Sequence, residues 1–64
     1  AGSSKADFTN KVKIALREAR ETNYWLRILK ELNDNNDESL ESLIKESQEL
    51  KNILGAIVVK SNNK

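Results

Sequence analysis

The 64 residues carry 11 Lys and Arg against 10 Asp and Glu, are 38% hydrophobic and 33% charged, and include no Cys, His, Pro or Met. Without thiolate or imidazole there is no zinc finger, haem ligation, disulfide framework or histidine-based catalytic centre, so neither an enzyme nor a cofactor is expected. A formal net charge of +1 exerts no global pull on nucleic acid or anionic lipid, and the length allows one small domain at most.

The first residues, Ala1-Gly2-Ser3-Ser4, are small and polar with no long apolar run behind them, unlike a signal peptide. The longest uninterrupted apolar stretch, Ala56 to Val59, is far short of the roughly 20 residues that span a bilayer. No membrane is expected among the partners, and a cytoplasmic location is.

Ser4 is placed to accept from the free amides of a first helical turn, with Asp7 three residues on as its capping-box-like partner. From there Phe8, Val12, Ala15, Ala19, Thr22, Leu26 and Leu29 recur at spacings of four and three, which is helical periodicity. The run Asn33-Asp34-Asn35-Asn36-Asp37 then favours a turn, because Asn and Asp bond to their own backbone and tolerate left-handed conformations. The expected elements are a helix over 5–32 and a turn over 33–37. Asp37 is the expected cap of a second helix over 38–60, in which Leu40, Leu43, Ser47, Leu50, Leu54 and Ile57 repeat in the same way. The polar tail 61–64 has nothing to bury and is expected to fray. Four i,i+4 pairs, Asp7–Lys11, Arg17–Glu21, Arg27–Glu31 and Glu41–Lys45, are positioned to support the helices. Gly55 weakens the second helix and, beside Ala56, offers a close approach to a neighbour.

The width of the apolar faces decides how many neighbours each helix needs. At 3.6 residues per turn, the large apolar side chains of the first helix, among them Ile14, Leu16, Trp25, Ile28 and Leu32, span roughly 240°, where a helix with one neighbour needs about 100°. Those of the second span roughly 180°. A hairpin gives each helix one partner. The fold class is therefore all-α: an antiparallel two-helix hairpin forming half of an up-down four-helix bundle, whose other helices come from a missing N-terminal half or from a second copy.

Residues with chemistry are few. Asp34 to Glu38 places oxygens at alternate positions like a calcium loop, but Ser39 stands where the glycine belongs and Lys45 where the closing Glu belongs, so this run reads as a helix-capping turn. Glu18 and Glu21 share a helix face, yet a di-iron bundle site also needs a His; beside Arg17 and Arg20 they read as an ion-pair network, and no metal site is assigned. Trp25 reads as a core anchor of a bundle, and Tyr24 lies where the Arg20 cation can rest on its ring. The basic residues are better organised. Lys13, Arg17, Arg20 and Arg27, with Tyr24 between them, form one stripe along the first helix, roughly 150° from the Phe8–Leu29 line. Residues 1–32 hold seven bases and four acids, residues 33–64 four bases and six acids. Such a stripe suits a phosphate backbone, Arg giving bidentate contacts and Tyr a stacking surface; its plainer reading is a solvated face, partly neutralised by Glu21 and Glu31.

Ser4-Lys5-Ala6-Asp7-Phe8, and above all Glu18-Ala19, Glu21-Thr22 and Tyr24-Trp25-Leu26, resemble the third helix of the bacterial four-helix-bundle proteins encoded inside intervening sequences of large-subunit ribosomal RNA genes. The likeness continues more loosely through Leu40, Leu43, Ile44 and Leu50. It implies an up-down bundle that forms homo-oligomers, commonly pentamers, in the bacterial cytoplasm. Glu18, Glu21, Tyr24 and Trp25 would belong to its polar and aromatic packing signature. The family includes relatives of a retroelement accessory protein whose basic surfaces meet nucleic acid. Since its members carry two helices before this segment, the chain is expected to be the C-terminal half of a longer protein. Two functions remain open: a non-enzymatic assembly module that contacts nucleic acid through Lys13, Arg17, Arg20, Tyr24 and Arg27, and a complete hairpin that dimerises into an RNA-binding regulator.

Overall fold

Capping side chains set where both helices begin. In the computed structural model, which describes residues 4–33 and 37–62, Ser4 is extended at φ −77°, ψ 168° and its Oγ accepts from the Asp7 amide at 3.0 Å. Helix α1 then runs over Lys5–Leu32. The Asp7 carboxylate pairs forward with Lys11 Nζ at 3.5 Å. Asp37 Oδ1 accepts from the amides of Ser39 and Leu40, at 3.0 and 3.3 Å, and starts helix α2, Glu38–Asn62. One side-chain oxygen thus satisfies two of the amides a helix N-terminus leaves without partners. The second helix continues two residues past Lys60, so Ser61 and Asn62 are helical where fraying was expected. Residues 34–36, with most of the calcium-loop-like run, and residues 63 and 64 lie outside the described residues.

The helices pack as an antiparallel hairpin along a seam that buries Val12, Leu16, Ala19 and Asn23 of α1 against Leu40 and Ser47 of α2. Ile44, Leu54, Ile57 and Val58 are half-buried beside it. This seam is rotated roughly 60° around α1 from the expected Phe8–Leu29 line. Phe8, Ala15, Thr22 and Leu29 are exposed, as are Leu43 and Leu50 of α2. The cause is polar. Asn23 and Ser47 face each other across the seam and pull that sector of α1 inward, and an apolar arc as wide as that of α1 leaves the rotation open.

Ion pairing also departs from expectation. Of the four i,i+4 pairs only Asp7–Lys11 closes among the described residues, while Lys30 in the last turn of α1 reaches across to Glu41 in the first turn of α2 at 3.1 Å. Within the hairpin Gly55 makes no close approach: among the described residues a Cβ built there meets nothing within 4 Å.

The hairpin measures 46 × 22 × 14 Å. Its least dimension is little more than the 10–12 Å diameter of one helix, so it is a single layer, covered on one edge of each helix only. The radius of gyration, 14.8 Å, compares with about 11 Å for a compact domain of this length. The accessible surface of 5166 Å² exceeds by roughly 1,000 Å² the area scaled for a folded monomer of this mass. Ile14, Trp25 and Ile53 are 53%, 60% and 57% exposed. Trp25, expected as an anchor of a four-helix bundle, is left open by this one hairpin; among the described residues nothing lies over the outer side of α1.

Candidate functional site

The two broad sides of the layer differ in chemistry. On one, Thr22 and Leu26 of α1 and Leu43, Glu46, Ser47 and Leu50 of α2 line a shallow groove of about 270 Å³. Exposed Phe8, Leu29 and Ile53 lie on helix faces adjoining it. This is an apolar face wider than the seam. A second, open depression beside Glu38, Glu41, Ser42 and Lys45 follows, among the described residues, the flank of α2, and its Glu41 is already held by Lys30.

On the other side lies the basic stripe. Lys13, Arg17, Arg20, Tyr24 and Arg27 are all exposed. Because the seam is rotated, the stripe stands roughly 90° from it rather than opposite to it, and so flanks α2. Arg27 bridges the two helices: its Nε donates to Asn23 Oδ1 at 2.8 Å and its Nη2 to Gln48 Oε1 at 3.2 Å. Gln48 Nε2 in turn donates to Asn52 Oδ1 at 3.1 Å, one turn along α2.

At the centre of this network is Asn23, 4% exposed. Its Nδ2 donates to Ser47 Oγ at 2.8 Å and to the Ile44 carbonyl at 3.2 Å, while the Ser47 hydroxyl donates to the same carbonyl at 2.9 Å. Every polar side-chain atom buried among the described residues has a partner. A buried amide with both donors and its oxygen engaged favours one pairing of the helices, because sliding either helix by a turn would strand it.

The other residues singled out from sequence are not drawn together. Glu18 and Glu21 are exposed and form no ion pair with Arg17 or Arg20 among the described residues. Tyr24 does not receive the Arg20 cation; its ring meets Trp25 edge-on, with centroids 5.4 Å apart and planes at 72°, the arrangement aromatic quadrupoles favour. Among the described residues no group of His, Cys, Asp or Glu is disposed to hold a metal ion, and no helix is long and apolar enough to cross a membrane. Asn23, Gln48 and Asn52 were missed in the sequence. Their one signal was Ser47, a polar residue interrupting the leucine repeat of α2 at the height of Asn23.

Neither a curated protein nor a solved structure matches the chain. A family model does, over residues 1–56, a span that takes in α1 and α2 as far as Ala56. The chain belongs to the 23S rRNA-intervening sequence protein family.

Proposed function

We propose that the chain is a non-enzymatic helical assembly module, half of a four-helix bundle, that contacts nucleic acid through the basic side of α1. One observation carries the assembly: the apolar side chains lining the groove, with Phe8, Leu29 and Ile53 around them, are open to water. The surplus of roughly 1,000 Å² over a folded monomer of this mass is close to the about 800 Å² that each partner buries in a stable interface. The occupant is a further pair of helices of the same bundle, supplied by the rest of a longer chain or by a second copy. Opposite charge on the two helices, net positive over residues 1–32 and net negative over 33–64, favours stacking in which each α1 lies over an α2.

The nucleic-acid reading draws on the exposed stripe and on the family's association with ribosomal RNA genes. A cytoplasmic site of action in bacteria fits both. Sedimentation of the 7.3 kDa chain tests the assembly: folded material is expected only as larger species, and a stable helical monomer would refute it. For the nucleic-acid contact, affinity for RNA is expected to fall steeply with salt and to weaken in Arg17→Ala/Arg20→Ala; salt-insensitive binding would remove that part of the reading.

A further inference from the structure

Among the described residues, Arg27 alone of the stripe's cations donates hydrogen bonds to acceptors on both helices. A guanidinium has five N–H donors arranged as two forks, one formed by Nε with Nη2 and one by Nη1 with Nη2. In Arg27 the first fork is filled, Nε on Asn23 Oδ1 and Nη2 on Gln48 Oε1. These acceptors hold the plane of the group, and the second fork has no protein partner among the described residues. Lys13, Arg17 and Arg20 have no hydrogen-bond or ion-pair partner there, so each must be ordered by whatever it binds.

The relay is polarised as well. Gln48 accepts from Arg27 and donates to Asn52 Oδ1, which leaves the Asn52 amide nitrogen as a further outward donor. Acceptors are consumed inside and donors remain outside, at both ends of a bridge across the hairpin. Of the acids near this bridge, Glu41 is paired with Lys30, and neither Glu31, one turn beyond Arg27, nor Glu49, beside Gln48, makes an ion pair with Arg27 among the described residues.

We infer that Arg27 is a pre-oriented anchor for a phosphodiester group, and that the nucleic-acid face therefore spans both helices, with Asn52 of α2 as its second donor. The inference rests on the nucleic-acid reading of this side and adds to it which residues position the backbone. Pre-orientation matters because a fork already held in place loses little side-chain freedom on binding. A phosphodiester matches two parallel N–H donors as a carboxylate does. The exposed ring of Tyr24, which belongs to the same stripe, offers a stacking surface that suits a base and has no use for an acidic peptide.

The test is fluorescence anisotropy of the full chain with a labelled RNA hairpin, a DNA hairpin of the same sequence, and labelled poly-glutamate. Arg27→Lys keeps the charge and removes the fork; it is expected to weaken nucleic-acid binding roughly tenfold while leaving the salt slope unchanged. Arg17→Lys, at an unheld position, is expected to change binding by less than about threefold. Asn52→Ala, exposed and bonded only to Gln48 among the described residues, tests the second helix without burdening the fold, and several-fold weakening is expected. Circular dichroism identifies any variant whose hairpin has opened. Equal losses in Arg27→Lys and Arg17→Lys, with Asn52→Ala unchanged, would overturn the assignment while leaving the stripe as a nucleic-acid face. No binding of either hairpin by the unaltered chain removes the nucleic-acid reading itself. Tighter binding of poly-glutamate would reassign the fork to an acidic peptide. RNA and DNA share the phosphodiester, and the tighter of the two hairpins identifies its source.

Discussion

Asn23 concentrates what single residues contribute to this hairpin. Its amide makes three of the contacts that cross or brace the seam, to Ser47, to the Ile44 carbonyl and from Arg27. Each such bond is worth about 1 kcal/mol net, and a buried group left without its partner costs about 1–3 kcal/mol. Asn23→Ala is expected to lower stability by about 2 kcal/mol, read from urea unfolding followed by circular dichroism at fixed protein concentration. Conversely, Glu18→Ala should change stability by no more than about 0.5 kcal/mol, because the exposed carboxylate has no ion pair to lose. Asn23 was illegible in the sequence for a physical reason: asparagine in mid-helix is usually a mildly unfavourable surface residue, and only its height opposite Ser47 gives it a role. Trp25 is the complementary case. Its size argues for the core of a bundle, but burial depends on what stands opposite, and among the described residues one hairpin supplies nothing there.

At the scale of elements, the helix starts were the most legible feature, because caps are local. Ser4 and Asp37 each accept from amides within three residues, so the signal and the structure lie in the same short segment. The rotation of α1 was not legible, because it is decided by a residue on the other helix. The same locality makes two outcomes separable. Asp37→Ala leaves the Ser39 and Leu40 amides without their acceptor and is expected to cost about 1–2 kcal/mol. Gly55→Ala sits in the interior of α2 with open space at its Cβ; it is expected to raise stability by about 0.5–1 kcal/mol through the lower entropy of the unfolded chain. Both are read as shifts of the urea midpoint. A loss on Gly55→Ala would mean that another helix approaches α2 there in the assembled protein.

For the whole molecule the deciding quantity is uncovered apolar surface. A layer one helix thick buries Val12, Leu16, Ala19 and Leu40 and leaves Leu43, Leu50 and Ile53 open, and full burial of one such large side chain is worth about 1.5–3 kcal/mol. Stability should therefore come from association, and a process that links folding to association depends on concentration. The melting temperature of the unaltered chain is expected to rise by several degrees over a hundredfold increase in concentration. Leu43→Glu/Leu50→Glu places two carboxylates in the open groove, where a docking helix would have to desolvate them. That variant is expected to sediment as a smaller species with reduced helicity, and its melting to lose the concentration dependence. Arg17→Ala/Arg20→Ala alters the opposite side and should leave sedimentation unchanged. If instead the groove variant sediments and melts like the parent, the apolar face is not the assembly surface. The outer side of α1, with Ile14, Tyr24, Trp25 and Leu32 exposed, then becomes the surface through which the copies meet.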